Sequence, residues 1–550
     1  MKYFALISAL SLLSASCATV PAGPQPPRLV VAIAVDQYSS DLFAEYRQTY
    51  VAGLKRLSNA IVFPAGYQAH ATTETCPGHA TILTGARPAR SGIVANEWFD
   101  QSVTRGDDDH KIYCVEDETQ PGTTSSKYVV STRHLNVPTL GDRMKRVDAR
   151  SRVVAVAGKD RSAVMMGGHM TDAMWYPSLD FKSYVSLPGQ SGATPVIVTK
   201  VNQRIAQIIA KRPTVMLPAH CAVRANSMSL QPDSDLAKAL KPEKPNPVRV
   251  YRESPEYDRA TADIAIGLLK NMRLGHGPAT DLLAISLAAT DNVGHSFGTQ
   301  GIEMCVQQAA LDQTIGQILD ALDANGAPYM VVLTADHGGF DLPERLQQRG
   351  VIDAARAAPE TVAAAVSATL VTQFQLDIDP KKLWMAASPQ GDWYLSNKVP
   401  GALRAQVLAA THAKLLSLPQ VTVVATADEL SRIPLPQPPV DNWSLLERAR
   451  ASFNPSRSGD LLVMMKPRIV PIPKPVAGYA AGHGTPWDYD RRVPMLFWYP
   501  GAVAHEVPLS VETVDILPTL APFIGLNVPA AEIDGRCIDL DPGSADTCKQ

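Results

Sequence analysis

The run Leu29-Val-Val-Ala-Ile-Ala-Val35, closed by Asp36, is continuously apolar and rich in β-branched residues. It shows no polar alternation, so it reads as a strand buried on both faces, the habit of parallel sheets covered by helices on each side. Arg152 to Ala157, Asp281 to Leu287 and Tyr329 to Thr334 have the same character, and the last runs into Ala335-Asp336-His337-Gly338-Gly339. Helical patterns lie between them at Asp41 to Ser58, Val198 to Lys211, Ala260 to Met272 and Gly301 to Asn325. Strands alternating with helices predict an α/β fold with a mostly parallel central sheet and helices on both faces. Near the end of the chain, Val493 to Pro500 reads as a further strand and Thr513 to Leu520 as the opening of a helix.

Segments 99–147, 168–257 and 342–457 break this rhythm with Pro, Ser, Thr and other polar residues, and are expected to be insertions that cap the core. The last contains helical patterns at Thr361 to Phe374 and Gly401 to Leu418, enough for a small core of its own. Residues 28–550 are therefore expected to form one large α/β domain with cap insertions, although 550 residues would also suit three or four domains.

Hydrophobic residues are 45% and charged residues 19% of the chain, as in a globular protein. The 51 Lys and Arg nearly cancel the 53 Asp and Glu, so the net charge of −2 gives no electrostatic signature of a nucleic-acid binder. The first residues, Met-Lys-Tyr, precede a short apolar run from Phe4 to Leu13 and the small residues Ser14 to Ala18, the pattern of an export signal over residues 1–18. That run is too short to span a membrane, which needs about 20 apolar residues, and no later stretch qualifies, so no transmembrane anchor is expected. A periplasmic or extracellular protein follows. Lipid attachment at Cys17 is the less favoured form, because Ser14 stands three residues before it. Six further cysteines, Cys76, Cys114, Cys221, Cys305, Cys537 and Cys548, allow up to three disulfides; only Cys537 with Cys548 suggests itself as a local loop. Nothing in the sequence speaks to oligomeric state.

In parallel α/β sheets, functional groups collect beyond the carboxyl ends of the strands. Three carboxylates stand there: Asp36, Asp291 and Asp336. Singly, each suits a turn or a helix cap. Together with nearby imidazoles they suggest ion binding. Asp291 and His295 are spaced i, i+4 and would share one helix face. Asp336 and His337 precede Gly338-Gly339, which lets the backbone bend, and His483 lies between Gly482 and Gly484. Three Asp and three His without a thiolate suit two divalent ions, with Zn²⁺ favoured by the imidazoles and Mn²⁺ or Fe²⁺ also compatible. In Thr75-Cys-Pro-Gly-His79, the Thr75 hydroxyl sits at a helix start, where it is either an N-cap or a nucleophile facing an anion site. The acidic stretch Gly106 to Asp109 reads as a solvated loop or as a structural Ca²⁺ site.

The ordered set Asp36, Thr75-Cys-Pro-Gly-His79, Asp291-x3-His295, Asp336-His337 and Gly482-His483-Gly484 resembles the two-zinc centre of the alkaline phosphatase superfamily, across most of the chain. The resemblance implies that Asp291, His295 and His483 hold one zinc, and that Asp36, Asp336, His337 and the Thr75 oxygen hold the other. It implies Thr75 as the covalent nucleophile. Sulfatases carry Cys-x-Pro-x-Arg at this place and are disfavoured. Threonine nucleophiles occur both in nucleotide pyrophosphatase/phosphodiesterases and in secreted threonine-type alkaline phosphatases. Asn96, in Gly92-Ile-Val-Ala-Asn96, matches the asparagine both branches use on a phosphoryl oxygen, whereas Lys159 and Arg161, in Gly158-Lys-Asp-Arg161, match the Lys-x-Arg pair of the monoesterases. A monoester carries two charges, and added cations favour it over a diester. The expectation is thus a secreted alkaline phosphatase acting on small phosphate monoesters through a phosphothreonine. A phosphodiesterase with the same metal centre is the alternative, and a non-catalytic metal- or phosphate-binding protein the other class.

Overall fold

The computed structural model describes residues 26–549 apart from 107, 108, 191, 192, 213, 214 and 226, so the expected export signal and Cys17 lie outside the described residues. Strand β1 (Leu29–Val35) is the centre of a ten-stranded sheet. It runs parallel to β8 (Asp281–Leu287) on one side and to β9 (Tyr329–Thr334) on the other. Beyond β8 lie β5 (Val153–Ala157) and β6 (Ala173–Pro177), both parallel, and then β7 (Tyr184–Ser186), antiparallel at the edge. Beyond β9, strand Arg492–Trp498 pairs antiparallel with β9 and with β2 (Ile61–Tyr67), so the sheet is mixed and mostly parallel. Val31, Ile33 and Val35 of β1 enter one apolar core, and Val30, Ala32 and Ala34 enter the other. Burial on both faces explains the unbroken apolar run.

The segment 41–58, which reads as one helix, is two. Ser40–Tyr46 ends in a short 3-10 turn, and a second helix begins at Gly53. Asp312 of the long helix Ile302–Asn325 explains the break. Its carboxylate accepts hydrogen bonds from the amides of Val51 (2.7 Å), Ala52 (2.8 Å) and Leu54 (2.8 Å), capping the second helix from outside. Gly53 is needed there, since a Cβ would lie 2.2 Å from the Gly316 amide nitrogen.

The expected insertions differ from what the chain forms. In 168–257, β6 and β7 extend the main sheet and helix Val196–Lys211 sends Val198, Val201 and Ile205 into the main core, so this part is not a cap. The third segment forms a separate antiparallel sheet, in the order Trp384–Met385, Gly391–Leu395, Leu461–Met465, Val421–Thr426. Trp384, Trp393, Leu461 and Val463 centre its own apolar cluster. Because Leu461–Met465 is an inner strand of that sheet, the unit runs past residue 457. In 99–147 a small hairpin, β3 (Glu97–Phe99) with β4 (Lys111–Tyr113), borders the sheet's carboxyl edge. Asp107 and Asp108 of the acidic stretch lie outside the described residues, while Asp109 is engaged by the amides of Lys111 and Ser125.

Three disulfides join Cys76 to Cys114, Cys221 to Cys305 and Cys537 to Cys548. No helix among the described residues is long and apolar enough to cross a membrane.

Helix Thr75–Thr84 is seated directly on the end of β9: a Cβ on Gly78 would lie 2.1 Å from the Asp336 carbonyl oxygen. Gly78→Ala is therefore expected to cost about 1–3 kcal/mol of stability by overpacking, read as a lowered Tm. An unchanged Tm would show that the helix is free to move off the strand.

Candidate active site

The register of the parallel strands brings their carboxyl ends to one level: Val35 pairs with Leu287, Ala34 with Thr334, and Ala157 with Ser286. Asp36 follows β1 directly, Lys159 follows β5, and Asp336 with His337 follows β9. Asp291 and His295 lie on helix Ala289–Phe297, which starts just after β8. The turn after β1 is tight. Gln37 has φ +65° and its amide donates to Asp336 Oδ1 at 3.1 Å. The Gln37 side chain lies where Gly294 and Gly339 would otherwise carry Cβ atoms, so glycine at both positions makes room for it.

His483 comes from a distant loop. Gly338 and Gly339 donate to the carbonyls of Asp490 and Tyr489, docking that loop onto the end of β9. A Cβ on Gly338 would sit 2.1 Å from the Tyr489 oxygen, so this glycine serves close approach rather than an unusual φ.

Two groups of potential ligands result. Asp291, His337 and His483 converge in one, and Asp36, His79 and Asp336 in the other. His295 adjoins the first, with Nε2 at 3.3 Å from Asp291 Oδ1 and 3.2 Å from His483 Nε2. His337 reaches both, lying 3.2 Å from Asp336 and 3.5 Å from Asp36, and its ring stacks on His483 at 3.6 Å between centroids. All the metal-ligand candidates from the sequence, Asp36, Asp291, His295, Asp336, His337 and His483, thus meet in one place, beside Thr75.

Their hydrogen bonds fit an ion-binding role. His295 Nδ1 donates to the Ala481 carbonyl, His337 Nδ1 to the Gly338 carbonyl, and His483 Nδ1 to the Thr73 carbonyl. Each bond fixes the tautomer and turns the Nε2 lone pair toward the carboxylates, the usual support for a metal-bound imidazole. Asp36 Oδ1, Asp291 Oδ1, Asp336 Oδ2 and His337 Nε2 are buried without hydrogen-bond partners. Buried acceptors left open at one point are costly unless a cation meets them. Burial, together with the charges of Asp291 and Asp336, pushes the Asp36 carboxyl up to about 7. Burial opposes charge on His337 too, but Asp336 and Asp36 outweigh it and raise the imidazole to about 9, and burial beside that charge pulls His483 down to about 3. The donor set, hard carboxylates with imidazoles, suits divalent ions such as Zn²⁺.

Thr75 is the first residue of its helix, and Glu74 holds the N-cap position, so the Thr75 hydroxyl is not spent on capping. It is buried, 3.3 Å from Lys159 Nζ and 3.4 Å from Arg161 Nη2. Asn96 stands beside it: its Oδ1 accepts from the Cys76 amide at 2.8 Å, leaving Nδ2 as the donating end. The Cys76–Cys114 disulfide ties this helix start to the residue after β4. Lys159 differs in placement from a simple phosphate ligand. Its Nζ bridges Asp36 (2.7 Å) and Asp291 (2.6 Å), one carboxylate from each group. Arg161 is held by the Tyr113 hydroxyl at 3.0 Å, and although burial opposes its charge, Tyr113, Asp160 and Asp36 keep it above its usual range.

His79 closes the Thr75-Cys-Pro-Gly-His79 motif but was given no role from the sequence. Its Nδ1 lies 3.0 Å from both Asp336 Oδ2 and the Thr75 carbonyl, and its Nε2 lies 2.8 Å from Ser286 Oγ. With its Nδ1 hydrogen given to the Thr75 carbonyl and Asp336 close by, the ring braces the helix start against Asp336. The signal was present: Thr75 and His79 are four apart and share a helix face.

Residues 30–475 match the family described as type I phosphodiesterase / nucleotide pyrophosphatase. The chain is 49% identical to alkaline phosphatase PhoD of Zymomonas mobilis over 521 residues, covering 95% of this chain and 89% of that protein. It is 48% identical to alkaline phosphatase PhoK of a Sphingomonas species over 531 residues, covering 95% and 93%. The crystal structure of alkaline phosphatase PafA superposes with a TM-score of 0.79 at 25% identity, over 94% of this chain and 99% of that one. With its fold, its converging carboxylates and imidazoles, and a match along most of its length, the chain belongs to the type I phosphodiesterase / nucleotide pyrophosphatase family of the alkaline phosphatase superfamily.

Proposed function

We propose that this protein is an exported, metal-dependent alkaline phosphatase that hydrolyses phosphate monoesters through a phosphothreonine at Thr75. The observation that carries the reading is the Thr75 hydroxyl, buried between two cations, Lys159 and Arg161, and beside the two ligand groups. The names of the relatives, alkaline phosphatases PhoD and PhoK, support the substrate class.

Asp291, His295 and His483 are assigned to one ion, and Asp36, Asp336, His337 and the Thr75 oxygen to the other. When bound, two divalent ions, zinc by preference, supply Lewis-acid stabilisation of the attacking and leaving oxygens. The chain's own residues do the rest. The Thr75 oxygen attacks phosphorus, forming a Thr75 O–P bond as the bond to the alcohol breaks and the alcohol departs with a proton. Water then attacks the phosphothreonine, releasing inorganic phosphate and restoring the hydroxyl. Asn96 Nδ2 and the Arg161 guanidinium bind oxygens of the transferring group, where preorganised donors stabilise the charge that develops. Lys159, bridging Asp36 and Asp291, puts a positive charge within reach of the same oxygens. Two cations at one phosphoryl position favour the doubly charged monoester over the singly charged diester. Three disulfides support export to an oxidising compartment.

Thr75→Ala is expected to lower kcat for p-nitrophenyl phosphate by at least about 10³-fold while the protein still takes up two zinc ions per chain by elemental analysis. Turnover close to wild type would remove Thr75 from the mechanism. Chelator treatment is expected to abolish activity and lower Tm, and added Zn²⁺ to restore both, since a ligand that binds only the folded state stabilises it; activity that survives stripping would contradict the metal assignment. Arg161→Ala is expected to cut kcat/KM for p-nitrophenyl phosphate at least about tenfold more than for bis-p-nitrophenyl phosphate. Equal losses would favour the phosphodiesterase reading.

A further inference from the structure

Next to Thr75's neighbours Glu74, Asn96 and Arg161 lies a cavity of about 330 Å³, lined on one side by the main domain and on the other by the separate antiparallel sheet and the residues before it. Asn96, Tyr113 and Arg161 lie in the main-domain wall, together with Glu74 and Glu97. The opposite wall comes from the segment Gln390-Gly-Asp392-Trp-Tyr394, of which Gln390, Gly391, Asp392 and Tyr394 line the cavity. No cation is built into that wall.

Gln390 is only 7% exposed. Its Nε2 donates to the Gly484 carbonyl at 2.8 Å, which leaves Oε1 buried and without a partner. A buried acceptor of this kind calls for a donor from outside the chain. Asp392 accepts one hydrogen bond, from the Gly459 amide at 2.9 Å, and has no ion pair among the described residues. Burial raises its carboxyl to about 7, so it is ionised at alkaline pH. Glu74, also at the cavity, uses Oε2 to accept from the Asn96 amide at 2.6 Å, and its side chain, like that of Gln390, lies beside Gly484. Glu97, by contrast, is balanced by Lys111 at 3.0 Å. The antiparallel-sheet wall thus offers acceptors, Gln390 Oε1 and the Asp392 carboxylate, while the main-domain wall carries the donors Asn96 and Arg161 alongside Glu74 and Glu97.

We propose that Gln390 and Asp392 form a leaving-group subsite that selects phosphate monoesters whose alcohol carries hydrogen-bond donors, hydroxyl or ammonium, and rejects those whose alcohol carries a second anion. The proposal rests on the monoesterase reading and adds a substrate class to it. An ammonium or a diol satisfies Gln390 Oε1 and the Asp392 carboxylate together. A carboxylate or second phosphate leaves both unsatisfied and meets like charge, which penalises the wrong substrate strongly.

Two small monoesters that differ mainly in the sign of the distal group, 2-aminoethyl phosphate and phosphoglycolate, test it at pH 9 on the full, zinc-loaded protein, with p-nitrophenyl phosphate as a control for phosphatase activity. The wild type is expected to favour 2-aminoethyl phosphate by about tenfold or more in kcat/KM. Asp392→Asn, which keeps an acceptor for the Gly459 amide, is expected to narrow that preference by about fivefold, mostly through KM. Gln390→Lys, which places a cation in the same wall, is expected to reverse it. A wild-type ratio near one, or a ratio that neither variant moves, would overturn the subsite. Failure of the wild type to cleave p-nitrophenyl phosphate would instead sink the monoesterase reading, and the subsite with it.

Discussion

Three carboxylates, Asp36, Asp291 and Asp336, are held in one buried place, and the rest of the site follows from that constraint. Water cannot screen their mutual repulsion there, so positive charge has to be supplied from nearby or from solution. The chain supplies part of it through Lys159, which bridges Asp36 and Asp291, and through His337, which contacts both Asp36 and Asp336. The remaining open oxygens and the Nε2 lone pairs of His295 and His483, with that of His337 once it gives up its proton, define what a divalent ion would meet. The cations that this negative charge gathers, Lys159 among them, are what would activate a hydroxyl placed beside them.

The fold creates the arrangement through strand register. Parallel pairing of β1 with β8 and β9 puts Asp36, Asp336 and the start of the Asp291 helix on one level, and no long loop is needed to bring them together. Glycines complete the assembly. Gly78 lets the Thr75 helix touch the Asp336 backbone, and Gly338 lets the His483 loop reach the same strand end. The protein thus spends unusually close backbone contacts at the places where distant segments must deliver one side chain each.

Much of this was legible in the sequence because burial on both faces of a strand leaves an unbroken apolar run, and because polar residues after such runs stand out. Asp36, Asp336 and the Asp291–His295 pair followed from that pattern, the Thr75 hydroxyl stood out at a helix start, and family resemblance gave Thr75 its role and added Asn96, Lys159 and Arg161. What could not be read depends on partners far away in the chain. The break in 41–58 is imposed by Asp312, the extension of the sheet by β6 and β7 hides within polar sequence, and the bridging position of Lys159 depends on two carboxylates from other strands. His79 could be given no role because its partners, Asp336 and Ser286, come from two other segments.

The cavity lies between the main domain and the separate sheet of residues 384–465, so the proposed reading divides the work: the strand ends would handle the phosphoryl group, and Gln390 and Asp392 would face what leaves. The claim on which the account stands is that phosphate passes through a covalent bond to Thr75. Acid quenching of the zinc-loaded enzyme during turnover of a monoester, followed by peptide mapping by mass spectrometry, tests it most directly. The account predicts one phosphoryl group on the peptide that contains Thr75, absent in Thr75→Ala. Steady turnover with that peptide unmodified, or phosphate trapped on another residue, would contradict it.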